Sequence, residues 1–258
     1  MIFAGTALAR RIEAAEAAIA RGCADGQPGA AVLEIAGGTV VFQGADSPLS
    51  QAVGLGLNGV VREDELNAIE AFFRSRGAPV TIDLCPLADA AFVECMGRRG
   101  YRITEFNNVL VKPLVGVETG ASPRVRQALA DERERWAQTA GHGFFEQPDL
   151  TDQEMEVGRA IFSMPSALCF LAESDAGASA GAAAMMVCGG VAVLFADSTI
   201  AEFRKRGVHR ELIAARLKQA VALGCDVAAA TTAPGSGSQR NYERVGFQVA
   251  YTKATLVG

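Results

Sequence analysis

The fold of this chain is decided by the stretch Arg204-Lys205-Arg206-Gly207-Val208-His209-Arg210. An apolar run of strand length, residues 191–196, lies ahead of it. Behind it, apolar residues recur at helical spacing from position 212 to position 221, and Gly224 supplies a stop signal. The chain is therefore predicted to pass from a strand through a basic turn into a helix. Because unpaired N–H groups and the positive end of the helix dipole meet there, this turn is predicted to bind phosphate.

The spacing Arg204-x-x-Gly207-x-His209 resembles the pyrophosphate-binding turn of the GNAT acyltransferase superfamily. That turn reads Arg or Gln, two residues, Gly, one residue, then Gly or Ala, so His209 departs from the small final residue. Further along, the hexapeptide Tyr242-Glu243-Arg244-Val245-Gly246-Phe247 resembles the signature with which the same superfamily ends a helix and enters its last strands. The two motifs stand in the superfamily's order and at a typical separation, which is what makes the resemblance specific.

Composition limits the classes of partner. A net charge of −5 argues against nucleic acid or an anionic membrane, whereas a basic turn in an acidic chain favours a small anionic ligand. The uncharged segment 178–196 is split by Gly189-Gly190 into two runs of strand length, which predicts a buried hairpin rather than a membrane span. The start of the chain has no signal-peptide pattern. Six cysteines without a Cys-x-x-Cys pair are typical of reduced thiols, so the predicted location is cytoplasmic.

The chain also predicts an internal duplication. Arg98-Arg99-Gly100-Tyr101 aligns with Arg244-Val245-Gly246-Phe247 at an offset of 146 (244 − 98), and the same offset aligns the helices predicted to begin at Glu63 and His209. Residues 113–123 have linker composition. The predicted division is a degenerate GNAT-like domain at 1–114, a linker at 115–122 and a GNAT domain at 123–258. Met96 stands where the second half has Tyr242, so the first half is predicted to be scaffold or one wall of the acceptor pocket.

The resemblance implies an α/β fold of two GNAT-like units, each a mixed, mainly antiparallel twisted sheet flanked by helices. Two helix starts are predicted independently from capping boxes, Thr151 with Glu154 and Ser236 with Gln239.

A competing motif is the glycine pattern at residues 54–59, which matches the dinucleotide-binding Gly-x-Gly-x-x-Gly and is followed by a helix and by Asp83. No clear apolar strand precedes it, and the glycines read as residues inside a strand. A dinucleotide enzyme would lose NAD binding on Gly56→Val. The two histidines, His142 and His209, lack neighbours with metal-ligand spacing, so no metal site is predicted.

The resemblance implies acetyl-coenzyme A as the donor. The backbone amides of the turn would bind its pyrophosphate, Arg204 would add charge, and a backbone N–H on the preceding strand would stabilise the thioester oxyanion. Gly235 stands where many relatives have a cofactor-contacting asparagine, which Ser236 or Ser238 would replace. His209 has two possible roles: it faces solvent, or it adds a donor to a bound phosphate. Because its side chain is bulkier than the usual Gly or Ala, we expect it to point away from the pyrophosphate. The implied cofactor-binding residues are Thr199 or Ile200 for the oxyanion, Arg204, Arg206, Gly207, Val208, His209, Arg210, Ser236 and Ser238.

Two catalytic residues are implied, Tyr242 and Asp197. The phenol of Tyr242 would protonate the leaving thiolate. A glutamate that several superfamily members use as a base is replaced here by Leu194, which leaves Asp197, Glu173 and Glu202 as candidates, with Asp197 first because it shares that strand.

The predicted function is transfer of an acetyl group from acetyl-CoA to a small-molecule primary amine by direct attack. The alternative is a non-catalytic acyl-CoA-binding sensor. The identity of the amine, the acyl chain length and the oligomeric state stay open.

Overall fold

The computed structural model describes residues 4–116, 123–147 and 149–258. Most of the predicted linker, 117–122, lies outside these ranges. The chain forms two compact units: the first unit takes the residues up to Val109 together with Thr232–Pro234 and Val249–Gly258, and the second unit takes Leu110–Thr231 and Gly235–Gln248.

The described helices are α1 (Thr6–Ala24), α2 (Glu63–Arg74), α3 (Ala90–Arg98), α4 (Arg133–Phe145), α5 (Asp152–Ser163), α6 (Val208–Ala222) and α7 (Gly237–Arg244). The described strands are β1 (Ala31–Ile35), β2 (Gly38–Phe42), β3 (Gln51–Val53), β4 (Thr81–Leu84), β5 (Arg102–Pro113), β6 (Val125–Gln127), β7 (Ala167–Glu173), β8 (Ser179–Cys188), β9 (Val191–Thr199), β10 (Val227–Thr232) and β11 (Gln248–Val257).

In the first unit the strand order is β1-β2-β3-β4-β11-β5. Strands β1, β2 and β3 pair antiparallel, and β3 then pairs with β4 in parallel. The last strand of the chain, β11, pairs antiparallel with β4 through Ala254 and Leu84. Because of this pairing, Val249–Gly258 groups with the first unit, whereas the division drawn from the sequence placed all of 123–258 in the second.

In the second unit the order is β10-β9-β8-β7-β6. The predicted hairpin at 178–196 is confirmed, since β8 and β9 pair antiparallel on either side of Gly189-Gly190. Strands β9 and β10 pair in parallel only from Val191 to Leu194. Just beyond, the register of β8 and β9 shifts between Ala182 and Ala184, and Ala196 adopts φ 54°. Such a bulge bends a strand and re-aims its side chains, here where β9 stops pairing with β10.

The two units repeat one pattern, which confirms the predicted fold class. The starts of β4 and β10 (227 − 81) and of β5 and β11 (248 − 102) are each 146 positions apart, as are the ends of α3 and α7 (244 − 98). In both units a parallel pair follows antiparallel strands.

The glycine pattern at 54–59 differs from its prediction. Strand β3 ends at Val53, so a short strand does precede these glycines, and they form turns rather than the interior of a strand. Gly56 donates its N–H to the Ala36 carbonyl and accepts from Asp89 N–H. A Cβ on Gly56 would meet the Phe92 ring at 3.0 Å. The loop therefore closes on its own unit, and its central glycine serves close packing.

Candidate functional site

The basic turn forms the N-terminus of α6, as predicted. Gly207 is the N-cap residue with φ 86° and ψ −5°, and Lys205 also has a positive φ of 62°. Alternation of left-handed and ordinary backbone conformations makes successive N–H groups converge on one point. The N–H groups in the first turn of a helix have no carbonyl partner within that helix. The turn therefore presents N–H donors to an anion.

A cavity of about 610 Å³ lies in front of this turn. Its wall is built by the end of β9, the basic turn, the first turn of α6, one side of α7 and the end of α4. It brings together most of the residues predicted for cofactor binding and one predicted catalytic residue. These are Asp197, Thr199, Arg204, Gly207, Val208, His209, Arg210 and Ser238.

Four predicted residues do not line the cavity: Ile200, Arg206, Ser236 and Tyr242. The Arg206 guanidinium lies 5.6 Å from the centre of the Phe203 ring. Ser236 caps α7 by accepting from Gln239 N–H at 3.1 Å. Both side chains thus have structural partners within the protein.

Of the two proposed oxyanion donors, the geometry favours Thr199. The Ile200 N–H donates to the Ala180 carbonyl at 3.1 Å, so it is occupied within the sheet. Consecutive residues of an antiparallel pair direct their N–H groups to opposite sides, and Thr199 faces Gly181 in the β8–β9 register. The Thr199 N–H therefore points away from β8, and Thr199 lines the cavity.

The Arg204 side chain bridges the basic turn and the end of α4. Its guanidinium donates to the Thr199 carbonyl at 3.1 Å and to the Gly143 carbonyl at 3.0 Å. It also forms an ion pair with Glu146 at 2.8 Å. A phosphate that recruits this guanidinium must compete with all three partners.

Asp197, at the bulge of β9, is the centre of a buried polar cluster. Its carboxylate forms an ion pair with Arg216, a residue with no exposed surface, and accepts from the Tyr242 hydroxyl at 2.5 Å. Burial would raise the pKa of Asp197, but the Arg216 guanidinium, with His209 and Tyr242, outweighs it and holds this pKa well below its usual range. An acid so firmly ionised accepts a proton poorly, and these contacts argue against Asp197 as the general base.

Tyr242 is fully buried, and its ring packs at 4.9 Å from that of Phe247. Burial and the adjacent Asp197 carboxylate raise the pKa of the phenol well above its ordinary value. The hydroxyl is therefore protonated at neutral pH and points at Asp197.

His209 connects this cluster to the cavity. Its Nε2 lies 3.2 Å from Asp197 Oδ1, and its Nδ1 lies 3.0 Å from the side-chain nitrogen of Asn241. The ring stands edge-on to Tyr242 at 5.6 Å. The His209 side chain, at the position where the superfamily's turn usually has Gly or Ala, thus packs against the Asp197 carboxylate.

Arg216 and Asn241 were not predicted as site residues from the sequence. Arg216 had a readable signal, because it lies four positions after Leu212 on the apolar face of α6. The other candidate bases lie away from the cavity: Glu173 pairs with Arg126 at 2.7 Å and with Arg135 at 2.9 Å, and Glu202 is exposed on a short turn.

Two broader properties concern the described ranges only. There, no group of three His, Cys, Asp or Glu side chains is placed to hold a metal ion. No helix in the same ranges has the length and apolarity needed to cross a membrane.

Comparison with known proteins bears on family and fold. Residues 127–247 match the model of the acetyltransferase (GNAT) family. A GCN5-related N-acetyltransferase from Kribbella flavida is similar in fold, with a TM-score of 0.70 at 20% identity over 97% of this chain and 95% of that chain. A tandem GNAT protein from the clavulanic acid biosynthesis pathway gives a TM-score of 0.63 at 14% identity, over 99% of this chain and 96% of that chain.

A third solved structure, a GCN5-related N-acetyltransferase from Sphaerobacter thermophilus, gives a TM-score of 0.56 at 14% identity over 99% of this chain and 92% of that chain. A comparison with curated protein sequences gives no match. The structural similarities extend over both units, and at these identities they show the fold alone. Residues 127–247 of this chain therefore match the GNAT acetyltransferase family model, and the chain is similar in fold to solved GNAT proteins.

Proposed function

We propose that this protein is an acetyl-CoA-dependent N-acetyltransferase in which a small-molecule primary amine attacks the thioester directly. The observation that carries the proposal is the convergence of the α6 N-terminus and the free end of β9 on one cavity of about 610 Å³. This volume lies within the range of small-molecule and cofactor sites, about 300–1,000 Å³.

The basic turn is the proposed diphosphate site. The N–H groups of Gly207, Val208 and His209 would donate to phosphate oxygens, reinforced by the helix dipole. Lys205 and Arg210 also line the cavity and add positive charge, although the chain as a whole carries −5. A local cationic site in an acidic protein suits a compact polyanion such as coenzyme A.

The end of β9 is the proposed site of the thioester. An oxyanion forms on the carbonyl as the amine attacks, and a fixed N–H in a site that excludes water stabilises that charge. The Thr199 N–H is the proposed donor, because it points away from the β8 ladder and Thr199 borders the cavity.

Tyr242 is the proposed proton donor to the departing thiolate. Its raised pKa keeps the phenol protonated in the resting site. Transfer requires the hydroxyl to leave Asp197, which keeps its ion pair with Arg216 and so remains ionised, and to turn from its buried position toward the cavity. The proton that the attacking nitrogen loses then restores the phenol, so the products are the amide and the free thiol. Asp197 is thus proposed to hold the phenol in place rather than to act as a base.

The test is coenzyme A binding by calorimetry followed by release of free thiol from acetyl-CoA with a panel of primary amines. The proposal expects binding and amine-dependent thiol release. Binding without release from any amine would favour the acyl-CoA sensor instead, and absence of binding would refute both.

The location is proposed to be cytoplasmic, because the six cysteines, all in the described ranges, form no disulfide.

A further inference from the structure

Glu146 is an acidic residue of the cavity wall that the proposed chemistry leaves without a role. Among the residues that the structure describes, two carboxylates border the cavity, Asp197 and Glu146. Asp197 is committed to Arg216 and Tyr242. Glu146 has 61% of its side chain exposed and forms an ion pair with the Arg204 guanidinium. Of these two, Glu146 is therefore the carboxylate that a ligand can reach.

The position of Glu146 is fixed by close packing of α4 on β9. Gly143 lies so near the strand that a Cβ there would be 2.8 Å from Thr199 N. The Ser198 hydroxyl donates to the Ala140 carbonyl at 2.8 Å, which ties the helix to the strand. Glu146 is the residue that caps the C-terminal end of α4, and it adopts a left-handed conformation with φ 57°. The packing thus holds this carboxylate beside the end of β9.

The Arg204 side chain shows that the end of β9 and Glu146 are close together, because its guanidinium contacts both the Thr199 carbonyl and the Glu146 carboxylate. The Thr199 carbonyl and this carboxylate are therefore separated by about the width of one guanidinium group. An acceptor nitrogen that lies beside Thr199 is within range of Glu146.

We propose that Glu146 binds the ammonium form of the acceptor, and that Arg204 neutralises Glu146 until the diphosphate of the donor recruits the guanidinium. This inference rests on the proposed function and assigns its acceptor class, amines that arrive as cations and lose one proton to the solvent beside the exposed carboxylate before the neutral nitrogen attacks. While Arg204 pairs with Glu146, the carboxylate offers an ammonium group little net attraction. Once the diphosphate competes for Arg204, the negative charge becomes available. Donor and acceptor binding are then coupled, and the coupling is reciprocal.

The first experiment measures coenzyme A binding by calorimetry in a double-mutant cycle of Glu146→Gln and Arg204→Gln. Because the pair is partly exposed, its loss is expected to tighten coenzyme A binding by about two- to fivefold in Glu146→Gln. In the Arg204→Gln background the same change is expected to have no effect. Glu202→Gln, an exposed carboxylate outside the cavity wall, is the matched control and is expected to match the unmodified protein.

The second experiment measures thiol release from acetyl-CoA with ethylamine, butylamine, putrescine and tyramine at neutral pH. Glu146→Gln is expected to raise the KM for the accepted amine by about tenfold or more, as a charge-assisted contact is lost, and Glu202→Gln is expected not to change it. An amine KM within about twofold of the unmodified protein would overturn the assignment of Glu146 alone. Failure of the unmodified protein to bind coenzyme A, or to release thiol with any amine, would overturn the proposed function along with it.

Discussion

Replacing Tyr242 by Phe separates the two roles that the structure gives this residue. The substitution removes one hydroxyl, which donates to Asp197 at 2.5 Å, and keeps the ring that packs on Phe247. A hydrogen bond to a charged group contributes about 1.5–3 kcal/mol to stability. Asp197 retains Arg216 and His209 as partners, so the free energy of unfolding is expected to fall by about 1.5–2 kcal/mol, the lower part of that range.

The effect on turnover is expected to be larger than the effect on stability. General acid catalysis contributes about 10²–10⁴ to a rate. The raised pKa of Tyr242 makes the phenol a weaker acid, so a loss of about 100-fold is expected, at the lower limit. Coenzyme A binding is expected to change by less than about twofold, because Tyr242 does not line the cavity.

The pH dependence has a definite sign. The folded-state pKa of Tyr242 is raised, so the share of stability that depends on it is complete below the unfolded pKa of about 10 and declines at higher pH. The difference between the two proteins in urea denaturation is therefore expected to be constant near neutral pH and to shrink in alkali.

The assays are thiol release with a saturating amine, calorimetry with coenzyme A, and urea denaturation monitored by circular dichroism. Turnover of Tyr242→Phe within about threefold of the unmodified enzyme would refute the acid role. An unchanged free energy of unfolding would refute the contact with Asp197.

Further substitutions test the cluster and the turn. Arg216→Met breaks a buried ion pair and leaves Asp197 without its cation. The free energy of unfolding, measured in urea, is therefore expected to fall by about 3–5 kcal/mol. Because the pKa of Asp197 is depressed in the folded protein, its contribution to stability is present above the unfolded pKa of about 4 and is lost as the pH falls. The unmodified protein is therefore expected to be more stable than Asp197→Asn at neutral pH and to lose this advantage when the pH is lowered. Gly207→Ala and Gly224→Ala each place a Cβ on a residue with positive φ, 86° and 75°. Each is expected to lower the free energy of unfolding by about 1 kcal/mol. Only Gly207→Ala is expected to weaken coenzyme A binding as well, by about tenfold or more in calorimetry. Equal affinities of the two glycine variants would remove the turn from the binding site.

Local signals in the sequence were sufficient for most elements. The capping box of Thr151 and Glu154 is present, with Glu154 accepting from Thr151 N–H at 2.8 Å. The box at Ser236 is half formed, because the Gln239 side chain accepts from Gly235 N–H instead. These features depend on residues three or four positions apart, which a sequence displays directly.

Long-range pairing was less accessible. No local pattern indicates that β11 pairs with β4, since the partners Leu256 and Ile82 are far apart in the chain. The same limit applies to the site: Asp197 and Tyr242 were singled out individually, but their mutual hydrogen bond and the Arg216 ion pair depend on how three separate elements converge. An arginine on the apolar face of a helix indicates a buried charge partner without identifying it.

The most direct test of the central claim is a titration of the ¹⁵N-labelled protein with coenzyme A, followed through the backbone amide resonances. If the turn binds the diphosphate, the amides of Gly207, Val208 and His209 are expected to show the largest shifts and to respond in the same way to 3′-phosphoadenosine diphosphate, which lacks the pantetheine arm. Binding of coenzyme A that leaves these three amides unshifted would contradict the account.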